Sequence, residues 1–266
     1  MRVYLDQILA AVAEQVAQDR ALLPAQRLQG ELAELPPPRD FRGALARPGT
    51  VGVIAEIKRA SPSRGELAPD LDPAALARTY EAHGAAAVSV LTEPRYFQAK
   101  AGDLPAVRAA CTLPLLYKGF VLDPYQLLQA RHTGADAVLL IVAVLGDRLG
   151  RFLEQADRLG LACLVEVHRE EELAAALAAG AELIGINNRD LATFHTDPQT
   201  AQRLIPRLPE GCVGVAESGI RHRADVLAAA AAGARAVLVG EALVTDPDPG
   251  AKLEELRGVD QDLRHP

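Results

Sequence analysis

The sequence predicts an α/β fold: a (β/α)8 barrel preceded by a helical extension. Three observations predict it. First, four segments repeat one pattern: Gly84-Ala-Ala-Ala-Val-Ser-Val-Leu91, Gly134-Ala-Asp-Ala-Val-Leu-Leu-Ile141, Gly180-Ala-Glu-Leu-Ile-Gly-Ile186 and Gly233-Ala-Arg-Ala-Val-Leu-Val-Gly240. Each joins a glycine suited to the left-handed position that ends a helix to a short apolar run. Such a run marks a strand buried on both faces of a parallel sheet. Second, the segments recur about every 50 residues, room for two strand–helix units each. Third, the missing strands are present: Val51-Gly-Val-Ile-Ala-Glu56, Leu113-Pro-Leu-Leu-Tyr-Lys118, Leu161-Ala-Cys-Leu-Val-Glu166 and Cys212-Val-Gly-Val-Ala-Glu217. Eight strands alternating with helices in a chain of 266 residues point to a closed barrel. The rival, an open doubly wound sheet, lacks its expected G-x-G-x-x-G after the first strand.

The elements follow in order. Residues 1–47 carry an apolar helical stripe (Val3, Leu5, Ile8, Leu9, Val12, Val16) and then the Pro-rich Leu35-Pro-Pro-Pro-Arg39. The segment is too small to hold its own core. It is expected to pack on the barrel formed by residues 48–266. Helices are expected at about 72–83, 102–110, 123–132, 147–159, 170–179, 197–206, 221–232 and 247–257.

Composition narrows the function. Hydrophobic residues make up 49% and charged residues 24%, ample for a globular core. The net charge of -7 argues against a nucleic-acid partner. Cys111, Cys163 and Cys212 form no C-x-x-C or zinc spacing and are expected to be buried thiols. None of the six histidines sits at metal-ligand spacing with a third partner, so no metal and no cofactor are expected. No apolar run reaches the length of a membrane span, and the amphipathic, acidic N-terminus is not expected to act as a signal peptide. A cytoplasmic location is expected, and a monomer, since no dimerisation helix stands out.

The rare polar residues are informative. Only four lysines, four serines and two asparagines occur, and Lys58, Ser61, Ser63, Lys118, Asn187, Asn188 and Ser218 fall near strand ends. In a (β/α)8 barrel the chemistry sits at the C-terminal ends of the strands. The odd strands end in Glu56, Lys118, Glu166 and Glu217. Pointing inward, these would form one ring at the mouth. Glu56 and Lys58 share parity, so both can face the axis. One such residue could merely cap the core with an ion pair; four at equivalent positions suggest acid–base work. His168 shares the parity of Glu166, and a lone histidine there is more often a supporting group than a catalytic one. The sixth strand runs into Asn187-Asn188-Arg189-Asp190, where Asn187 is a natural orienting donor and Arg189 could bind an anion or tether a carboxylate. Ser218-Gly219 after the seventh strand and Gly240-Glu241 after the eighth occupy the usual phosphate-binding loops.

These residues also carry a resemblance. Ile54-Ala-Glu-Ile-Lys-Arg-Ala-Ser-Pro-Ser-Arg-Gly65 closely resembles the signature of the indole-3-glycerol phosphate synthases. So do Val90-Leu-Thr-Glu93 with Tyr96-Phe97, Lys118-Gly-Phe120, Leu164-Val-Glu-Val167, Ile184-Gly-Ile-Asn-Asn-Arg-Asp-Leu191, Ala216-Glu-Ser-Gly-Ile220 and Leu238-Val-Gly-Glu-Ala242. The resemblance spans nearly the whole chain. It implies conversion of 1-(2-carboxyphenylamino)-1-deoxyribulose 5-phosphate to indole-3-glycerol phosphate, carbon dioxide and water, in tryptophan biosynthesis. It further implies Lys118 as the acid for ring closure, Glu166 as partner acid/base for dehydration, Lys58 as a second substrate-contacting lysine and Glu56 as the carboxylate that tunes them. Ser61, beside Pro62, and Asn187 match substrate-contacting positions. Phe97, Phe120 and Leu191 would line an aromatic pocket, with Arg189 and Glu217 in support. Ser218, Gly219, Gly240 and Glu241 match the phosphate loops.

The chain departs from the family where Tyr117-Lys-Gly-Phe120 stands for the frequent Arg-Lys-Asp-Phe, which implies a looser loop after the third strand. It departs again at Phe97-Gln-Ala-Lys100 and at Thr92-Glu93. Two other readings remain: phosphoribosylanthranilate isomerase, disfavoured because no cysteine lies near Glu56, and a non-catalytic pathway scaffold, which would not need both Lys118 and Glu166.

Overall fold

The computed structural model describes residues 3–47, 49–191 and 193–261. Eight parallel strands close a barrel: β1 (Gly52–Ile57), β2 (Ala87–Leu91), β3 (Leu115–Lys118), β4 (Ala137–Ile141), β5 (Ala162–Val167), β6 (Leu183–Asn187), β7 (Val213–Glu217) and β8 (Ala236–Val239). Each pairs with its neighbours in sequence. β1 closes the ring on β8, with Gly52 opposite Ala236 and Ile54 opposite Leu238. These are the strands the sequence predicts.

Three helices precede the barrel: α1 (Val3–Leu22), α2 (Ala25–Leu32) and α3 (Phe41–Leu45). The outer layer holds α4 (Pro73–Ala82), α5 (Asp103–Ala110), α6 (Tyr125–His132), α7 (Val142–Leu145), α8 (Leu149–Arg158), α9 (Glu170–Ala178), α10 (Gln199–Leu204), α11 (Arg223–Ala232), α12 (Glu241–Val244) and α13 (Pro249–Leu256). Local chemistry sets their ends. Asp72 accepts the Ala74 and Ala75 N–H groups at 2.9 and 3.1 Å, with Pro73 in the first turn. The glycines that open the four repeats have φ of 80°, 93°, 86° and 102°, the conformation that ends a helix without a Cβ penalty. Two one-turn helices, α7 and α12, go beyond the sequence reading, as does an antiparallel pair of Ala60–Ser61 with Gly65–Glu66. A single turn is too short to show a period.

Strand parity sorts the core into two sets. Val53, Ala55 and Ile57 of β1 join Val88, Val90, Val165, Val167, Ile184 and Ile186 under the outer helices. Ile54 joins Ala87, Leu116, Leu139, Leu164, Val215 and Leu238 in the barrel interior. Glu56, Lys118, Glu166, Asn187 and Glu217 carry the interior parity at the strand ends.

The N-terminal segment joins the interior set. Ile8, Val12 and Val16 of α1 are buried; the Val3 side chain lies outside the described residues. Leu5 and Ile8 roof the cavity at the mouth. α2 packs on α6, and α3 meets β1 and β2. At the opposite barrel face Asp136, ahead of β4, accepts the Arg39 N–H and an Arg108 N–H, both at 2.7 Å. Arg42 pairs there with Glu182 at 2.5 Å. The segment therefore runs like a strap from the mouth to the base. No helix among the described residues is long and apolar enough to cross a membrane.

Candidate active site

The mouth holds a ring of opposite charges. Lys118 Nζ lies 2.5 Å from Glu217 Oε2 and 3.5 Å from Glu166 Oε2. Lys58 Nζ lies 2.7 Å from Glu56 Oε1. The three carboxylates are buried, with Glu56 at 5%, Glu166 at 2% and Glu217 at 1% exposure. Sixteen of the residues singled out from the sequence line the cavity here: Glu56, Lys58, Ser61, Pro62, Phe97, Lys118, Phe120, Glu166, Asn187, Arg189, Leu191, Glu217, Ser218, Gly219, Gly240 and Glu241.

Burial and pairing set the protonation states. Burial pushes the Glu56 carboxylate up, but Lys58 and then Lys118 outweigh it and hold the group below its usual range. Burial acts likewise on Glu166, where Lys118 and His168 prevail and bring it down to about 2. At Glu217 burial wins. Lys118 offsets part of it, Glu166 and Glu56 repel, and the carboxyl is raised to about 7. Burial alone would lower Lys118, yet Glu217, Glu166 and Glu56 together raise it, so it is fully protonated near neutrality. The ring thus offers a charged ammonium acid, an anionic carboxylate and a carboxyl poised near neutrality, the set that general acid/base chemistry requires.

Two glycines make room for these charges. A Cβ on Gly240 would collide with Glu56 Oε1 and lie 2.8 Å from Lys58 Nζ. A Cβ on Gly185, inside β6, would collide with Glu217 Oε1. Gly185 is a site residue the sequence reading passes over. A lone glycine inside a buried strand is the signal that could have found it.

The rim is organised by polar side chains. Ser61 Oγ is buried and has no hydrogen-bond partner among the described residues, so it is available to a ligand. Arg189 tethers a hydroxyl rather than a carboxylate: its Nη1 donates to Ser63 Oγ at 2.6 Å, and its backbone N–H donates to Asn187 Oδ1 at 3.0 Å. Asn188 turns away to hold the neighbouring loop, donating to Ser218 O and accepting from the Ala201 N–H, each at 2.9 Å. Ser218 and Gly219 both have positive φ, 63° and 81°. At Ser218, a non-glycine residue, this is stored strain of the kind found at ligand sites. The one-turn α12 starts at Glu241, beside Gly240, where a phosphate-binding helix terminus sits in many such barrels. Glu241 Oε1 is met by Arg64 at 3.1 Å and Arg221 at 3.9 Å, two cations to which the sequence reading gives no role.

Two further residues position the apolar wall. Glu93 accepts the N–H groups of Arg95, Tyr96 and Phe97 at 3.0, 2.6 and 3.2 Å, which fixes the loop carrying Phe97. The loop after β3 is tied by contacts that the sequence reading does not name. Gln126 Oε1 accepts the Leu122 and Asp123 N–H groups at 2.7 and 3.2 Å, and its Nε2 donates to Phe120 O at 2.8 Å. A Cβ on Gly119 would collide with Thr92 Oγ1, so the glycine serves close packing there. His168 does not line the cavity; it stands behind Glu166.

Fold and site together describe a (β/α)8 barrel of the enzyme kind, with acid and base groups gathered at its mouth. The model of the family "Indole-3-glycerol phosphate synthase" matches residues 5–256. A protein of that name from Mycobacterium avium is 51% identical over 253 residues, covering 95% of this chain and 93% of its own. Another, from Rhodococcus jostii, is 50% identical over the same share of this chain and 94% of its own. The chain belongs to the indole-3-glycerol phosphate synthase family. Two solved structures share the fold alone. Thiamine phosphate pyrophosphorylase from Pyrococcus furiosus has a TM-score of 0.61 at 16% identity, covering 82% of this chain and 96% of its own. Mandelate oxidase has a TM-score of 0.58 at 20% identity, covering 82% and 79%.

Proposed function

We propose that the chain closes the indole ring of 1-(2-carboxyphenylamino)-1-deoxyribulose 5-phosphate, releasing carbon dioxide and water to give indole-3-glycerol phosphate. The observation that carries this reading is Lys118, protonated and held between Glu217 and Glu166 in a cavity with an apolar wall on one side and phosphate-type loops on the other. Lys118 would donate a proton to the ketone oxygen as the carboxylate-bearing ring carbon attacks the ketone carbon. Loss of carbon dioxide then restores the aromatic ring. The hydroxyl so formed takes a second proton and leaves as water, with Lys58 placed to supply it. Glu166 would accept the proton lost from the adjacent carbon. The net uptake of one proton balances the loss of the carboxylate as neutral carbon dioxide.

The other residues take binding roles. Ser61, with its free hydroxyl, would meet the anthranilate carboxylate beside Pro62. Phe97, Phe120 and Leu191 would pack on the ring. Backbone N–H groups at Gly219, Gly240 and Glu241, with Ser218, would hold the phosphate. Asn187, Arg189, Glu56 and Glu217 would orient the acids and bases. The reading includes a cytoplasmic monomer in tryptophan biosynthesis. Its catalytic domain is residues 48–266 under a packed extension of residues 1–47, although Pro48 lies outside the described residues.

The test is fluorescence-detected formation of indole-3-glycerol phosphate by wild type and Lys118→Ala. Turnover in wild type and its loss in a folded, substrate-binding Lys118→Ala variant are expected. A well-folded wild type without turnover overturns the reading.

A further inference from the structure

Behind the ring, the charges continue outward in alternating sign. His168 Nε2 lies 3.4 Å from Glu166 Oε1, and its Nδ1 lies 3.2 Å from Glu172 Oε2. The same Glu172 oxygen accepts the His168 backbone N–H at 2.8 Å. Glu172 Oε1 accepts from Arg169 Nε and Nη2 at 3.1 and 2.8 Å. Lys118, Glu166, His168, Glu172 and Arg169 therefore form one line from the cavity to the start of α9. The His168 side chain is 7% exposed.

The geometry decides the ring's charge state. A neutral imidazole has one N–H and one lone pair. With a carboxylate oxygen at each nitrogen, a neutral ring would face one of them lone pair to lone pair. Both carboxylates have reason to stay ionised: Glu166 faces Lys118, and Glu172 receives Arg169 and a backbone N–H. The Nε2–Oε1 approach is an ion-pair contact rather than a formed hydrogen bond, and it is attractive only when Nε2 carries a proton as Nδ1 does toward Glu172.

We propose that His168 is a permanently protonated positioning residue, clamped between Glu166 and Glu172, that holds Glu166 ionised with its second oxygen turned to Lys118. This rests on the proposed role of Glu166 in the reaction, but the charge clamp itself can be read without turnover. The opposing charges raise His168 to about 10 against the lowering effect of burial, in line with the geometry. The groups that face the clamp are Lys118, His168 and Asn187 around Glu166, and Arg169 with the His168 backbone around Glu172.

The experiment combines a histidine NMR titration with kinetics on the full chain. In ligand-free 15N-labelled wild type, the His168 ring resonances, assigned by their loss in His168→Gln, are expected to stay at the imidazolium position up to about pH 9. Titration near the ordinary 6.5 overturns the proposal. Should His168→Gln fail to fold, Glu172→Gln makes the assignment, since His168 is the one histidine among the described residues that faces Glu172. Glu172→Gln is expected to lower the His168 midpoint by at least about one pH unit, and the basic limb of kcat should move down with it while KM changes less than about twofold. A kcat–pH profile unmoved while the NMR midpoint shifts overturns the positioning role. His168→Gln is expected to lower kcat on the order of 10- to 100-fold, less than loss of the acid–base group itself; wild-type kcat in a folded variant overturns the role. A wild type with no indole product defeats the synthase reading instead, and leaves the NMR arm to judge the clamp.

Discussion

Gly185 of β6 lacks a side chain at the place where Glu217 of β7 lays its carboxylate. The two residues face the same interior layer, and Asn187 pairs with Glu217 in register two residues further on. Gly185→Ala is expected to push Glu217 away from Lys118. A shift of about 1 Å costs on the order of 100-fold in rate, and overpacking costs about 1–3 kcal/mol of stability. Steady-state kinetics with a denaturant midpoint checks both. Gly150→Ala in α8, where the new methyl meets open space, is the matched control and should be neutral or stabilising.

The raised carboxyl of Glu217 gives a sign to the pH dependence. Its proton is held to about 7 in the folded chain, against an ordinary 4.5. Between those values the folded state binds the extra proton, so this group's contribution to stability falls as pH rises through the window. Glu217→Gln is expected to flatten that slope in urea midpoints measured at pH 5 and pH 8. In wild type, kcat/KM is expected to fall below about pH 7 as the ion pair with Lys118 is lost. That limb should vanish in Glu217→Gln, leaving only the titration of the substrate phosphate.

Arg59 and Asp103 form a buried bidentate pair at 2.5 and 2.9 Å that anchors the segment after β1 to the start of α5. Asp103→Ala would leave a buried guanidinium without its partner, and is expected to cost about 3–5 kcal/mol. Urea unfolding measures this. Asp103→Ala with Arg59→Met together should recover a good part of the loss.

Glu93→Ala would release three backbone N–H groups and free the loop that carries Phe97. A rise in KM of about tenfold is expected, with kcat changing less, since the loop shapes the apolar wall rather than the proton-transfer groups. A titration of substrate binding to Lys118→Ala in the same background separates binding from chemistry.

Much of this molecule was legible in the chain, for identifiable reasons. The repeated glycine followed by an apolar run showed the strands. The parity of Ile54, Glu56 and Lys58 showed which side faces the axis. Scarcity made Lys118, Asn187 and Ser218 stand out. What escaped depends on pairings across distance. Arg59 and Asp103 are 44 residues apart, and nothing near either marks the other. Glu93 acts through main-chain groups, which leave no trace in residue types. Gly119 shows in the sequence only what glycine permits, whereas its close approach to Thr92 and the bonds from Gln126 appear only in the fold. His168 was visible by parity, but its charge follows only from seeing a carboxylate at each nitrogen.

The alternating line of charge also bears on how such a chain can change over generations. Every member except the exposed Arg169 is buried or half-buried against a partner of opposite sign, so replacing an inner one strands its neighbour's charge. Substitutions here are coupled, with effects on stability that do not add. A lineage could leave this arrangement only through paired replacements, and the intermediate single steps would be the least fit. The line of charge acts as an evolutionary ratchet, and drift should collect on the outer helices while the mouth stays as it is.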